Sequence, residues 1–393
     1  MHSIRRSCQS ALRNPNNVVA STNSSRRAFS RSVARSKGLP VFLEPSSPEL
    51  SSLLSTINSK VLLPEHLSRE QQKLVYKQKG RAKLETEPVE VTVGDVTLPL
   101  EHIDRNVRPS RWSSLQDVVH QSESTADWEN VVRVFEGLHS AGIAIKPKWQ
   151  ELVVRKLNES GHHNLVLKAL QRVKSTGLRL SNYNVAMRTL KGAHDRAAES
   201  DWDMEETVKA LRFARQVVEL MEEEEHHAVL SKGAKMAQTD WRGKPFIIAV
   251  PTELAAVVAQ KHGGDVEVVK TFANRLVHAL KQDNFTESID RISAFSSKTE
   301  ADYKGKTGQT DAVNEYCQGL FELLTVWNAL KTSKAVLGAD MPLATEAVEY
   351  ESKIKSVLDT GLDTAAKLQR RGNLELRSSY PTYIKEQLEK VQA

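Results

Sequence analysis

Arg69, Lys73 and Lys77 follow one another at four-residue intervals, with Lys79, Arg81 and Lys83 behind them and Glu70 the single opposite charge among them. On a helix that spacing sets side chains one above another, so the first three would form a basic stripe with Tyr76 beside it. Phosphate chemistry suits such a stripe: a polyanionic backbone is attracted to it, and the attraction weakens as salt rises. An ordinary solvated helix face has the same spacing, and both readings stay open. Arg105, Arg108 and Arg111, followed by Trp112, make a second cluster in a segment that Pro109 keeps loop-like. Arginines beside an aromatic ring can grip phosphates and stack on a base.

Other constellations carry less. Glu222–Glu225 with His226-His227 suggests a metal, but adjacent histidines point apart, and zinc ligands on a helix need spacings of three or four. An acidic, solvated helix end explains them better, and His162-His163 falls in an expected inter-helix turn. Gly305-Lys306-Thr307 matches only the end of a phosphate-binding loop, because Glu300 stands where the loop's first glycine must be. No HExxH, GxGxxG or GxSxG pattern occurs. The expectation is therefore no catalytic residues, no metal site, no cofactor and no small-molecule substrate. Val313, Tyr316, Cys317, Leu320, Phe321, Leu324 and Trp327 form a helical apolar stripe and are expected as core.

Charge along the chain points to an address. Residues 1–37 carry eight basic residues among Ser and Ala, and the first acidic residue is Glu44. That is the composition of a matrix-targeting segment, and Arg27-Ala28-Phe29-Ser30 resembles its processing site. The alternative is a disordered basic tail that touches nucleic acid. Setting those eight aside leaves 47 basic against 49 acidic residues, so the formal +6 describes mainly the presequence. Global basicity is then no argument for nucleic acid; only local clusters are. Apolar runs, such as the block Phe246–Val250, fall far short of the ~18 residues a transmembrane helix needs. With Cys8 in the presequence, Cys317 stands alone, which excludes an intramolecular disulfide or CxxC site.

The elements that must position these residues are mostly helices. Residues 38–60, rich in Ser, Pro and Gly, read as an extended arm. Ser68 can cap a helix running to about Lys79. Val89, Val91 and Val93, then Gly94-Asp95, then Val96, Leu98 and Leu100 alternate as a β-hairpin does. From about Trp112 the apolar period is helical: Asp127–His139, Pro147–Leu157, Leu165–Val173, Tyr183–Leu190, Met204 to about Glu224, Thr252–Gln260, Val266–Leu280, Ala312–Leu330, Ala344–Leu358 and Leu362–Gln369. Breaks are expected at residues 228–250 and 296–310. The fold class is all-α, a helix-hairpin repeat (α-solenoid-like) body with an N-terminal extension and a small β-hairpin. The divisions are residues 1–29 (presequence), 30–111 (arm with basic helix and hairpin), 112–295 (helical repeats) and 311–393 (C-terminal helices).

A repeat is visible in the middle. His139-Ser140-Ala141-Gly142-Ile143 aligns with Lys174-Ser175-Thr176-Gly177-Leu178; the glycines are 35 residues apart, and Trp149 and Tyr183 are 34 apart. Over residues 127–192, about two units, the chain resembles the pentatricopeptide repeat family, whose helix pairs stack into an RNA-binding solenoid. No series of that family's base-reading polar residues recurs here. Leu63 to Tyr76, with its Leu-Pro-Glu-His-Leu-Ser-Arg-Glu-Gln-Gln-Lys core, resembles fungal mitochondrion-specific large-subunit ribosomal proteins. That resemblance implies a structural component of the mitochondrial ribosome in the matrix, in the large subunit, with mitochondrial rRNA and ribosomal proteins as partners. Arg69, Lys73, Lys77, Lys79, Arg81, Lys83, Arg105, Arg108, Arg111 and Trp112 would be the RNA-facing residues. Two alternatives stay open: a free pentatricopeptide-like factor for mRNA processing or translational activation, and an assembly factor for a respiratory complex.

Overall fold

Apolar residues spaced three and four apart become helices along nearly all of the chain that the computed structural model describes, residues 38–104, 106–227, 241–282, 285–297, 305–372, 382 and 384–386. The expected presequence and Arg105 lie outside the described residues. The first helix is where the expected arm should be. Residues 38–46 are extended, but Ser47 caps α1 (Pro48–Thr56), which continues through a π-helical turn (Ile57–Leu62) into α2 (Leu63–His66). Leu50, Leu54, Ile57 and Val61 are buried at helical spacing. Their burial outweighs the weak helix propensity of the interspersed serines.

The extended stretch takes most of its hydrogen bonds from one helix, α6 (Thr125–Ser140). The Leu43 amide donates to Asn130 Oδ1 at 2.8 Å, and Asn130 Nδ2 donates back to the Leu43 carbonyl at 3.0 Å. The Ser46 amide and hydroxyl donate to the two oxygens of Asp127 at 2.9 and 2.6 Å. Burial alone would raise the Asp127 pKa; the bonds from Ser46 and Ser124 outweigh it and hold the carboxyl far below the usual range. Next come α3 (Arg69–Tyr76) and α4 (Gln78–Thr86), then the hairpin of β1 (Glu90–Val93) and β2 (Val96–Pro99), antiparallel with Val91 opposite Leu98. Gly94, at φ +67°, makes its turn.

The body continues with α5 (Arg111–Gln121), α6, α7 (Pro147–Glu159), α8 (His163–Leu170), α9 (Val173–Thr176), α10 (Tyr183–Glu199) and α11 (Met204–Leu220). The 35-residue repeat has a physical basis. Gly142 and Gly177 both adopt the left-handed conformation that ends a helix, and the residues after them, Ile143 and Leu178, are both buried. Helix α7 lies against α10, as successive units of a helix-hairpin stack must.

Two expected breaks are partly helical. Helix α12 (Pro245–His262) begins seven residues before Thr252 and runs through Pro251. An internal proline costs roughly 3 kcal/mol. Here every residue from Pro245 to Val257 is buried, against α10, α11, α13 (Val266–Gln282) and α15 (Gly305–Leu337), and that burial outweighs the missing hydrogen bond. After α14 (Phe285–Ala294), α15 takes in residues 305–310, so Gly305-Lys306-Thr307 is its first turn. The two helices expected around residue 360 are one, α16 (Ala344–Gly372). Gly361 does not break it; a Cβ there would stand 2.5 Å from Leu320 Cδ2, so the glycine lets α16 approach α15. The described chain is all-α with one small β-hairpin.

One polar network is sealed in this core. His194 Nε2 on α10 lies 3.3 Å from Glu253 Oε2 on α12, both almost fully buried, with Asp195 on the other ring nitrogen and Trp202 edge-on to the ring. Burial alone would lower the His194 pKa; Glu253 and Asp195 raise it to about 9. His226, buried beside Leu180, accepts that residue's amide proton at Nδ1 (3.2 Å), and burial lowers its pKa to about 4. The signs oppose. The His194 contribution is complete below its unfolded value of 6.5 and is lost as pH rises through about 9, because there the folded state binds the extra proton. Between 6.5 and about 4 the unfolded His226 binds the proton and the folded one does not, so stability falls toward acid. Thermal unfolding across pH should peak near 6.5, with His226→Gln flattening the acid limb between 4 and 6.5. Glu253→Ala should cost about 3–5 kcal/mol in urea titration, since it strands a buried charge.

Candidate nucleic-acid interface

Ser68 and Gln71 start α3 with a reciprocal capping box: the Ser68 amide donates to Gln71 Oε1 at 2.9 Å and the Gln71 amide to Ser68 Oγ at 3.3 Å. The helix stops at Lys77, whose extended backbone (ψ 137°) turns the chain before α4. A Cβ on Gly80 would stand 2.1 Å from the Leu74 carbonyl oxygen, so only glycine lets α4 fold back this closely on α3. Val75 and Leu84 anchor the pair to the core, and the Ile103 amide donates to the Val75 carbonyl at 3.0 Å. The expected stripe is thus bent: Arg69 and Lys73 ride α3, while Lys77 sits at the corner. Tyr76 is half-buried against the core.

With their apolar sides anchored, α3 and α4 turn their cations outward. Arg69, Lys73, Lys77, Lys79, Arg81 and Lys83 are all exposed. Arg81 pairs with Glu85 at 2.9 Å, an exposed contact worth little. Among the described residues, none of Arg69, Lys73, Lys77, Lys79 and Lys83 forms an ion pair. Lys73, Lys77 and Lys79, with Glu70, ring a shallow groove of about 360 Å³ floored by Leu74 and Gly80. Elsewhere many cations are answered locally, as in Arg188 with Glu151 and Arg196 with Glu206. The corner of α3 and α4 therefore concentrates unanswered positive charge suited to a polyanion.

The second cluster is drawn inward. Arg108 and Arg111 both donate to Glu65 Oε1, at 3.0 and 2.5 Å, and Arg108 also reaches the Val61 carbonyl. They clamp the end of α2 to the start of α5. Trp112 stacks on Trp149, ring centroids 5.7 Å apart and planes within 9°. These contacts join Arg108, Arg111 and Trp112 to Glu65 and Trp149, at the junction of α2 and α5 and apart from the lining of the α3–α4 groove. Nothing in the sequence pairs Glu65 with arginines more than forty residues away.

The remaining candidates have structural partners. His163 is buried with Nε2 3.0 Å from the Gly192 carbonyl, and Glu225 pairs with Lys174 at 2.5 Å. Among the described residues no group of three or more His, Cys, Asp and Glu is placed to hold a metal ion. No helix among them is long and apolar enough to cross a membrane. Burial pushes the Cys317 thiol up to about 12, as a core position would.

The family described as mitochondrial ribosomal protein mS27 matches residues 27–390. The small ribosomal subunit protein mS27 of Neurospora crassa is 25% identical over 296 residues, which cover 70% of this chain and 74% of the relative. These findings overturn the expectation of a large-subunit component. The stretch Leu63 to Tyr76 that suggested it is a helix end followed by a capped helix start. Such a pattern follows from backbone capping needs and carries no information about the subunit.

Gly80 generates a direct test of the groove. Gly80→Ala should splay α4 from α3 and destabilise the chain by about 1–3 kcal/mol, measured by chemical denaturation. It should also raise amide exchange in residues 78–86 selectively, leaving α12 unchanged; a uniform rise would contradict a local role for the glycine.

Proposed function

Because the chain belongs to the mitochondrial ribosomal protein mS27 family, we propose that it is a structural component of the mitochondrial small ribosomal subunit, working in the matrix. In this reading α3 and α4 lie on ribosomal RNA, while the helical body meets neighbouring ribosomal proteins. The carrying observation is the outward corner of Arg69, Lys73, Lys77, Lys79 and Lys83, five exposed cations without ion-pair partners among the described residues in a body of nearly balanced charge. Arg81 stands at its edge, shared with Glu85. Arg108, Arg111 and Trp112 support the reading indirectly, by fixing α2 against α5 and so fixing where α3 begins.

The shape fits a scaffold's work. A bent pair of short helices offers charges in two directions, which follows a curved phosphate backbone better than one straight stripe. Phosphate contacts of this kind position a protein on RNA without reading its sequence.

Gradient sedimentation of mitochondrial lysate tests the assignment. The protein should migrate stoichiometrically with the small subunit and stay with it when magnesium is chelated and the subunits part. Recovery only in light fractions with a single transcript would overturn the assignment in favour of a free RNA-binding factor. Migration with respiratory-complex intermediates, indifferent to ribonuclease, would overturn it in favour of an assembly factor. Replacing Lys73, Lys77, Lys79 and Lys83 together with Ala should weaken RNA association and lower its log–log salt slope by about one for each phosphate no longer neutralised. An unchanged slope would return the corner to a solvated face.

A further inference from the structure

The first turns of α10 and α12, one side of α14 and the middle of α15 line a cavity of about 550 Å³ that the scaffold role leaves unexplained. Its size falls within the range of small-ligand sites, about 300–1,000 Å³. Aromatic rings dominate the wall. Tyr183 lies against Trp241 with centroids 5.2 Å apart, and Phe295 stacks on Tyr316 at 4.2 Å. The Trp241 indole N–H donates to the Ser181 carbonyl at 2.7 Å, which fixes the ring.

Two carboxylates line the cavity, Glu315 at an exposed position and Glu322 deeper among the rings. Burial raises the Glu322 pKa, and its carboxylate accepts hydrogen bonds from the Tyr183 hydroxyl and from Gln318 Nε2, the latter at 3.2 Å. A carboxylate has about four lone-pair positions, so two protein donors leave about two. Lys244 and Arg291 also line the cavity, as does the start of α12 at Pro245 and Phe246, where the helix dipole favours an anion.

We propose that this cavity holds one unstacked guanine nucleotide, its base against the aromatic rings, its N1–H and N2 amino group donating to Glu322, and its phosphate toward Lys244 and Arg291. Stacking alone admits any base; the carboxylate selects. Adenine presents an acceptor at N1 where guanine presents a donor, and would set a lone pair against Glu322. A basic side chain of a neighbouring protein would suit the rings and Glu322 but would meet Lys244 and Arg291 as like charges. The nucleotide uses both signs of the lining. Its source is either a guanosine extruded from ribosomal RNA or a free guanine nucleotide; the first of these rests on the ribosomal reading, and mononucleotide binding does not.

Titration of the full chain with GMP, AMP and UMP, by calorimetry and by Trp fluorescence, tests the pocket. GMP should bind saturably, and AMP at least about tenfold more weakly, as expected for a bidentate base contact. Glu322→Gln should remove that preference, and Arg291→Ala, an exposed position that leaves the core intact, should weaken GMP more than guanosine. No saturable GMP binding, or equal binding of AMP, would overturn the proposal. In purified small subunits, release of about one guanine nucleotide per particle on acid extraction would identify the free source. Ultraviolet crosslinking of Tyr183 or Trp241 to an rRNA guanosine would identify the RNA. Crosslinks from these residues to protein alone would overturn the nucleotide assignment.

Discussion

Helix α12 is buried on every side from Pro245 to Val257, and a helix with no polar face cannot stand at a surface. Four helices have to surround it. Those four, α10, α11, α13 and α15, reach into both the repeat region and the C-terminal helices, so α12 joins what the sequence presents as separate regions. The same burial forces Glu253 inside, and His194 answers it across the α10–α12 contact. Apolar area supplies the driving force, and this one buried pair adds a partner that a shifted α12 would lose.

Charge is disposed by the same logic. A body with nearly equal numbers of basic and acidic residues can answer much of its own charge, and the helical repeats contain pairs such as Arg188 and Glu151. The cations of α3 and α4 escape because Gly80 folds one short helix onto the other and buries only their apolar sides. What is left over faces water and is available to phosphate. Arg108 and Arg111 show the opposite outcome: similar in sequence character, they are spent on Glu65. For a ribosomal protein the distinction matters, since affinity for RNA follows the cations that remain accessible and not the number present.

The aromatic cavity and the α3–α4 corner divide recognition between two kinds of chemistry. The corner offers charge without selectivity, whereas the cavity offers stacking surface around the carboxylate of Glu322. Both depend on helices whose positions are set by the core: the corner through Val75 and Leu84, the cavity through the first turns of α10 and α12.

Much of the secondary structure was legible from local pattern. Alternation around Gly94 marked the hairpin, Ser68 marked the start of α3, and the glycines 35 residues apart marked helix ends, because each depends on the backbone preferences of a few neighbouring residues. Composition alone separated the basic first 37 residues from a nearly neutral body. Long-range packing decided the rest. The sequence pattern began one helix only at Thr252 and split another between Leu358 and Leu362, yet α12 and α16 run through Pro251 and Gly361, since burial against α15 outweighs the local cost. Residues 48–60 read as an arm because serine and proline are common there; only a partner surface made their apolar residues a helix face. Which arginines would stay free was likewise a tertiary matter, because an ion pair is set by distance in space, and Glu65 comes near Arg108 and Arg111 only once α2 has met α5.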